Sequence, residues 1–243
     1  MQLRGRAALV TGAGRRLGRA IAVGLGARGA DVVVHHHASE REARETAAII
    51  ERGGARAHVA RADLRDPDAA PRLVAEALEV LGGLDVLVNS AAEMPRTPFG
   101  TTTAAEWDET FALTLRAPFL LSQAAAPHLA AREGAIVNLA DLAAFETWPD
   151  YVPHGIAKAG VVQLTRALAR VLAPRVRVNA VAPGAVLLPD AWGEGEAERL
   201  AATTPLGRIG TPDDVVRAVC FLLESDYVTG ETLIVDGGRH VRR

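Results

Sequence analysis

Hydrophobic positions along the chain follow two alternating patterns. Short runs rich in Val, Ile, Leu and Ala lie at residues 7–11, 31–35, 57–61, 84–89, 135–140, 177–182 and 232–235, and most are apolar nearly throughout. Between them lie longer segments whose apolar residues recur three and four apart, as do Leu17, Ile21 and Leu25. The first pattern predicts strands buried on both faces and the second predicts amphipathic helices that cover them. Helices are expected over 16–28, 40–52, 67–81 (opened by Pro67), 104–131, 153–173 and 212–224. This alternation, with right-handed crossovers, predicts an α/β chain: a single doubly wound Rossmann-fold domain over 1–243 with a mostly seven-stranded parallel sheet. Residues 185–205 break the pattern. They are rich in Gly, Pro and Glu, and read as a mobile substrate loop with a short helix.

Composition adds bounds rather than chemistry. With 49% apolar residues in 243, the chain can bury a sizeable core. A net charge of −2 gives no reason to expect a nucleic-acid or membrane partner. No apolar run is long enough to span a bilayer and no basic-plus-apolar leader opens the sequence, so a soluble cytoplasmic protein is expected. Cys220, the single cysteine, sits in Val219-Cys220-Phe221-Leu222 and reads as a buried, inert thiol. The 27 Lys and Arg residues include one lysine, Lys158, and the chain has three asparagines, Asn89, Asn138 and Asn179. Scarce Asn and abundant Arg fit a thermophile or a GC-rich genome equally well. A lone lysine in so Arg-rich a chain suggests a chemical role.

The segment Thr11-Gly12-Ala13-Gly14-Arg15-Arg16-Leu17-Gly18 joins the first strand to the first helix. Glycines there allow a tight turn and let phosphates approach backbone N–H groups at a helix start. Gly12, Arg15, Arg16 and Leu17 are therefore candidate cofactor-binding residues, although the spacing departs from G-x-G-x-x-G by one residue. Strand two ends in His35-His36-His37 and not in the acidic residue that holds a ribose hydroxyl. Asp31 lies at the wrong end of that strand and Glu40 lies beyond it. Arg15, Arg16, His35 and His36 can instead face a 2′-phosphate, so NADP(H) is the expected cofactor. No metal site is expected in the histidine run, because neighbouring strand residues point to opposite faces. A solvated strand end accounts for at least one of these histidines.

Further marks follow in order: Asp63-Leu64, Asn89-Ser90-Ala91-Ala92, the helix carrying Lys158, Ala182-Pro183-Gly184 and Asp236-Gly237-Gly238. Together with the glycine turn they resemble the short-chain dehydrogenase/reductase family over nearly the whole chain. The resemblance implies that Asp63 and Leu64 border the adenine. It places Asn89, Ser90 and Ala91 along the cofactor, Asn89 on the nicotinamide side, and Pro183 and Gly184 beside the carboxamide. Within the family the chain is similar to pteridine and dihydromonapterin reductases. Arg16 stands where most relatives have a glycine, Asp141 stands where most have a catalytic serine, and the tail Asp236-Gly237-Gly238-Arg239-His240 is similar. One departure counts against a pterin: Met94 occupies the place of the residue that stacks on the ring.

The family's Y-x-x-x-K appears as His154-Gly155-Ile156-Ala157-Lys158. Asp141 precedes His154 by thirteen residues, the family's spacing from Ser or Asp to Tyr, so the register holds and the tyrosine is replaced. Thr114 occupies the place of a further family asparagine. His154 and Lys158 are about 6 Å apart along a helix axis and share a face. The charge of Lys158 favours the neutral imidazole, whereas Asp141 favours the charged ring and can orient it. His154 is thus the candidate proton donor, with Asp141 and Lys158 completing the catalytic set. Tyr151 lies about 10 Å before Lys158 along a helix, and Pro153 places it at the helix entrance. Tyr151, Met94 and Arg16 are candidate substrate residues.

The expected function is an NADPH-dependent short-chain reductase of a pterin-like C=N or a carbonyl compound. A general 3-oxoacyl or ketone reductase is the alternative, and a non-catalytic NADPH-binding sensor is the third reading. The resemblance implies a homotetramer or homodimer formed through helices 104–131 and 153–173 and the last strand.

Overall fold

The computed structural model describes residues 1–188 and 195–241. Seven strands form one parallel sheet: β1 (Ala7–Val10), β2 (Asp31–His36), β3 (Ala57–Arg61), β4 (Val86–Asn89), β5 (Ala135–Leu139), β6 (Arg177–Pro183) and β7 (Thr232–Val235). They are ordered β3-β2-β1-β4-β5-β6-β7, in parallel register throughout. The sheet is the expected one. Side chains along each strand sort onto opposite faces with period two. Ala8, Val10, Val32, Val34, Val86 and Val88 join a core with α1 (Arg16–Gly26), α2 (Glu40–Arg52) and α8 (Pro212–Glu224). Leu9, Val33, Leu87 and Ile136 join a second core with α3 (Ala69–Leu81) and α5 (Ala117–Ala131). Apolar residues on both faces of the strands are what two helical layers require.

The chain moves outward from β1 to β3, then returns to place β4 on the other side of β1. Connections leaving β1 and β4 therefore diverge to opposite faces, opening a crevice at the carboxyl ends of the strands. Thr11 ties this point together: its Oγ1 accepts hydrogen bonds from Ser90 N–H at 2.9 Å and Ala91 N–H at 3.0 Å.

The segment expected as one helix over 104–131 is α4 (Ala104–Phe111), a turn of π-helix (Ala112–Arg116) and α5. A capping box of Thr103 and Glu106 opens α4. The π turn carries Thr114, whose buried hydroxyl has no partner among the described residues. Helix α3 begins at Ala69, two residues after Pro67. Helix α6 (Val152–Leu172) has Tyr151 at its N-cap, in line with an entrance set by Pro153. In the predicted substrate loop, α7 (Glu196–Ala202) is the short helix, and residues 189–194 lie outside the described residues. Cys220 is buried in α8, and burial raises its thiol to about 11.

At the opposite end of the sheet, Asp85 precedes β4 with its side chain fully buried. It accepts from Arg6 at 2.7 Å, Arg132 at 3.1 Å and Ala7 N–H at 2.9 Å. Burial works to raise its pKa, but the Ala7 N–H and the two guanidiniums outweigh burial and hold the carboxyl below its usual value. This cluster joins β1, β4 and the end of α5.

Candidate active site

The crevice at the carboxyl ends of the strands is a cleft of about 1040 Å³. One end is built by the β1–α1 turn. Gly12 has φ +65°, and a Cβ there would lie 2.9 Å from Ala91 Cα. A Cβ on Gly18 would overlap the Gly12 carbonyl. Both glycines thus permit close backbone approach. The first turn of α1 contains no acidic residue and its N-cap, Arg15, makes no side-chain cap. Its N–H groups stay available to an anion, as the start of a helix facing a phosphate requires. These features fit a dinucleotide, and Gly12, Arg15, Leu17, Asp63 and Leu64 all line the cleft.

His35 supports this turn from beneath. Its Nδ1 accepts from Gly12 N–H at 3.1 Å, and Nε2 lies 3.1 Å from Ala62 O. The first bond needs a bare Nδ1 and the second a protonated Nε2, so the neutral ring fits both. Burial drives its pKa down to about 4, against the opposing pull of the Ala62 carbonyl and Asp63. His35 therefore presents no cation to a phosphate: the histidine run contributes a strut there rather than a charge. His36 is buried too, with Nδ1 lacking a partner among the described residues, and burial lowers its pKa. Arg15 is exposed and lines the cleft as a cation.

Asp141, His154 and Lys158 meet at the centre of the cleft. Asp141 follows β5 and does two things at once. Its Oδ1 caps the next 3-10 turn by accepting from Ala143 N–H at 2.8 Å, and its Oδ2 lies 2.6 Å from His154 Nε2. Burial tends to raise the Asp141 pKa. It is outweighed by the His154 hydrogen bond, the charges of Lys158 and His154, and the Ala143 N–H, so the carboxyl sits below its usual value. The other ring nitrogen of His154, Nδ1, lies 3.1 Å from Glu93 O. The ring is thus held between a carbonyl oxygen and a carboxylate oxygen, each an acceptor for a ring N–H. Lys158 is buried and donates to Leu139 O at 2.6 Å. Burial lowers its pKa, with Asp141 pulling the other way.

The cleft collects the candidate residues Gly12, Arg15, Arg16, Leu17, His35, His36, Asp63, Leu64, Ser90, Ala91, Met94, Asp141, Tyr151, His154, Lys158, Pro183 and Gly184. Asn89 lies beneath its surface. Its Nδ2 donates to Asn138 Oδ1 at 2.8 Å, in a buried polar chain that runs on to Thr165. Arg16 lines the cleft, but its guanidinium is turned to the carbonyls of Leu187 and Leu188. Tyr151 packs edge-on against Trp148, ring centroids 6.3 Å apart. Sequence reasoning passed over Trp148, and took Leu187, Leu188 and Leu200 only as part of the loop over 185–205; all four line the cleft. Trp148, one of three tryptophans, directly precedes Pro149-Asp150-Tyr151, and this was the one available signal. The role of Glu93 had none, because it acts through its backbone oxygen.

A doubly wound sheet, a glycine turn at its switch point and an Asp–His–Lys cluster in the same cleft are the features of a dinucleotide-dependent oxidoreductase. Residues 12–240 match the family described as enoyl-(acyl carrier protein) reductase, and the chain belongs to it, within the short-chain NAD(P)-dependent dehydrogenases/reductases. The chain is 37% identical to granaticin polyketide synthase putative ketoacyl reductase 2 of Streptomyces violaceoruber, over 96% of each chain. It is 36% identical to 3beta-hydroxysteroid dehydrogenase 1 of Eggerthella lenta, over 97% of this chain and 94% of that one. A blue fluorescent protein from a metagenomic library, solved in complex with NADPH, superposes with TM-score 0.92 at 33% identity, covering 98% of this chain and 99% of that one.

Proposed function

We propose that the protein reduces a ketone with NADPH, and that His154 supplies the proton to the developing alkoxide. The observation that carries this reading is the 2.6 Å contact between His154 Nε2 and Asp141 Oδ2, within the cleft that begins at the glycine turn. Bound NADPH would supply the hydride. The chain's own task is the proton. When Nε2–H passes its proton to a substrate oxygen, the ring left behind is the tautomer that still donates from Nδ1 to Glu93 O. The protein thus fixes which proton leaves. Lys158 and Asp141 set the local charge, and Asp141 and Glu93 O hold the ring in place.

A ketone replaces the pterin-like C=N as the favoured substrate. The similar proteins are named for ketoacyl and hydroxysteroid chemistry, and Met94, half-exposed at the cleft, offers no aromatic ring for a pterin to stack on. NADPH is favoured over NADH because residues 35–39, at the end of β2, include no carboxylate while Arg15 stands opposite. A second reading, a non-catalytic NADPH sensor, draws on one observation: both His154 nitrogens already have partners within the chain.

NADPH oxidation with a panel of ketones and a dihydropterin, for the native protein and His154→Gln, separates these readings. Ketone turnover that falls about 10²- to 10⁴-fold in the variant, with NADPH affinity retained, is the expected result. NADPH binding without turnover on the whole panel would replace reductase by sensor, and turnover of the dihydropterin alone would restore the pterin. A second copy of the chain is proposed to cover α4, α5 and α6, where Trp107, Phe119 and Ile156 are exposed. Light scattering that gives a monomer mass would exclude it.

A further inference from the structure

Arg16 occupies a conformation that an L side chain rarely adopts. Its φ is +51°, and Glu133 is the only other non-glycine residue with positive φ among the described residues. A glycine would hold this turn without strain, and the neighbouring Gly12 and Gly18 show that the turn uses glycine where geometry demands it. Strain of this kind persists where the surrounding structure over-determines it, and it points to a role for the side chain. Here the side chain spans the cleft. Nη2 of Arg16 donates to Leu187 O at 2.9 Å and Leu188 O at 3.3 Å, and Nη1 donates to Leu188 O at 3.4 Å. Leu187 and Leu188 follow the end of β6, and both line the cleft beyond Pro183 and Gly184.

We infer that Arg16 is a positioning residue: it fixes the apolar Leu187–Leu188 wall of the substrate pocket to the cofactor turn, so the two halves of the cleft form as one unit. The inference rests on the reading above, in which this end of the cleft receives the ketone. It assigns Arg16 neither a phosphate nor the substrate. A planar guanidinium can bridge two successive carbonyls, whereas an ammonium carries the same charge without the fork. Ordering of the turn by NADPH then raises affinity for the ketone, and by reciprocity the ketone raises affinity for NADPH by the same factor.

Arg16→Gly and Arg16→Lys test this through four readings: thermal stability without cofactor, NADPH affinity without ketone, the split of KM from kcat for the ketone, and amide exchange of residues 184–188. Arg16→Gly is expected to melt no lower than the native protein and to bind NADPH alone within about threefold of it. Its ketone KM should rise about fivefold to 100-fold, with kcat changed far less and exchange at 184–188 accelerated. A purely structural role would lower stability and KM performance together, whereas this role moves them apart. Arg16→Lys should resemble Arg16→Gly in KM. Full rescue by Lys, or a loss of NADPH affinity as large as the rise in KM, would overturn the inference in favour of a charge acting on phosphate. Unchanged exchange at 184–188 in Arg16→Gly would overturn it without reference to turnover, so this test stands apart from the test of ketone reduction itself.

Discussion

Two carboxylates, Asp85 fully buried and Asp141 half-buried, sit at opposite ends of the same sheet, and both are held below the usual carboxylate pKa. Their partners differ. Asp85 is closed in by two arginines and a backbone N–H, and guanidiniums keep their charge at every pH at which the chain folds. Asp141 is partnered by a histidine, with a buried lysine close by, and faces a cleft. At Asp85 the partners' charges are permanent and three donors surround the carboxylate, which suits an anchor joining β1, β4 and α5. At Asp141 the partner can give up its proton, which suits chemistry. Burial and a low pKa alone do not distinguish an anchor from a site; the ability of the partner to titrate does.

The largest expected effect is at the cleft. His154→Gln should abolish most turnover, by about 10²- to 10⁴-fold, while the melting temperature moves little, because Gln can still donate to Glu93 O or Asp141. Asp85→Asn should do the reverse. Removing its charge leaves two guanidiniums without their shared anion and should cost about 3 kcal/mol of stability, read as a lower urea midpoint with unchanged slope. The residual folded enzyme should keep its kcat. A large kcat loss in Asp85→Asn, or a large stability loss in His154→Gln, would erase the distinction between the two ends.

Acid should separate the ends next. His35 in the folded state has its pKa depressed to about 4 from the ordinary 6.5. Between those values the unfolded chain binds the extra proton and the folded chain does not. Stability from this group is therefore complete above pH 6.5 and is lost as pH falls toward 4, by about 3 kcal/mol in all. The Asp85 cluster contributes nothing to this window. Its carboxyl is also depressed, so its share of stability is present above the ordinary carboxylate pKa and is lost only at lower pH. Urea midpoints of the cofactor-free protein from pH 7 to 4 should fall, and His35→Asn should flatten that slope. A slope unchanged in His35→Asn would move the acid sensitivity elsewhere.

The sheet was legible because each strand is long enough in apolar residues to declare two-sided burial, and β1 to β7 appear where that pattern places them. That Asp141, His154 and Lys158 come together was legible through spacing: thirteen residues from Asp141 to His154 and four on to Lys158 keep the register although a histidine stands where the tyrosine was expected. What sequence left hidden depends on backbone atoms and on the third dimension. Glu93 acts through its carbonyl, so its side-chain identity carries no signal. His35 looked like a phosphate ligand because strand periodicity does not reveal that its ring turns under Gly12. Asn89 looked like a cofactor residue; its Nδ2 is engaged by Asn138 and Ser122, while its Oδ1 has no partner among the described residues. The π turn at Ala112–Arg116 inserts an extra residue into a helical pattern that reads as continuous, since apolar spacing is preserved on either side.

Arg15 gives the smallest and most specific effect. With His35 neutral and His36 lowered by burial, Arg15 is an exposed cation lining the cleft that a 2′-phosphate at the end of β2 could use. It is exposed, so its attraction acts through solvent and is worth about 1 kcal/mol. Arg15→Ala should therefore raise KM for NADPH about five- to tenfold and leave KM for NADH nearly unchanged, with the gap closing as salt is added. His154→Gln should leave that preference intact, since His154 sits with Asp141 and Lys158 and not at the end of β2. Equal effects of Arg15→Ala on both cofactors would mean that Arg15 acts on the shared pyrophosphate rather than on the 2′ position. The histidine strand end would then be the place to look for cofactor choice.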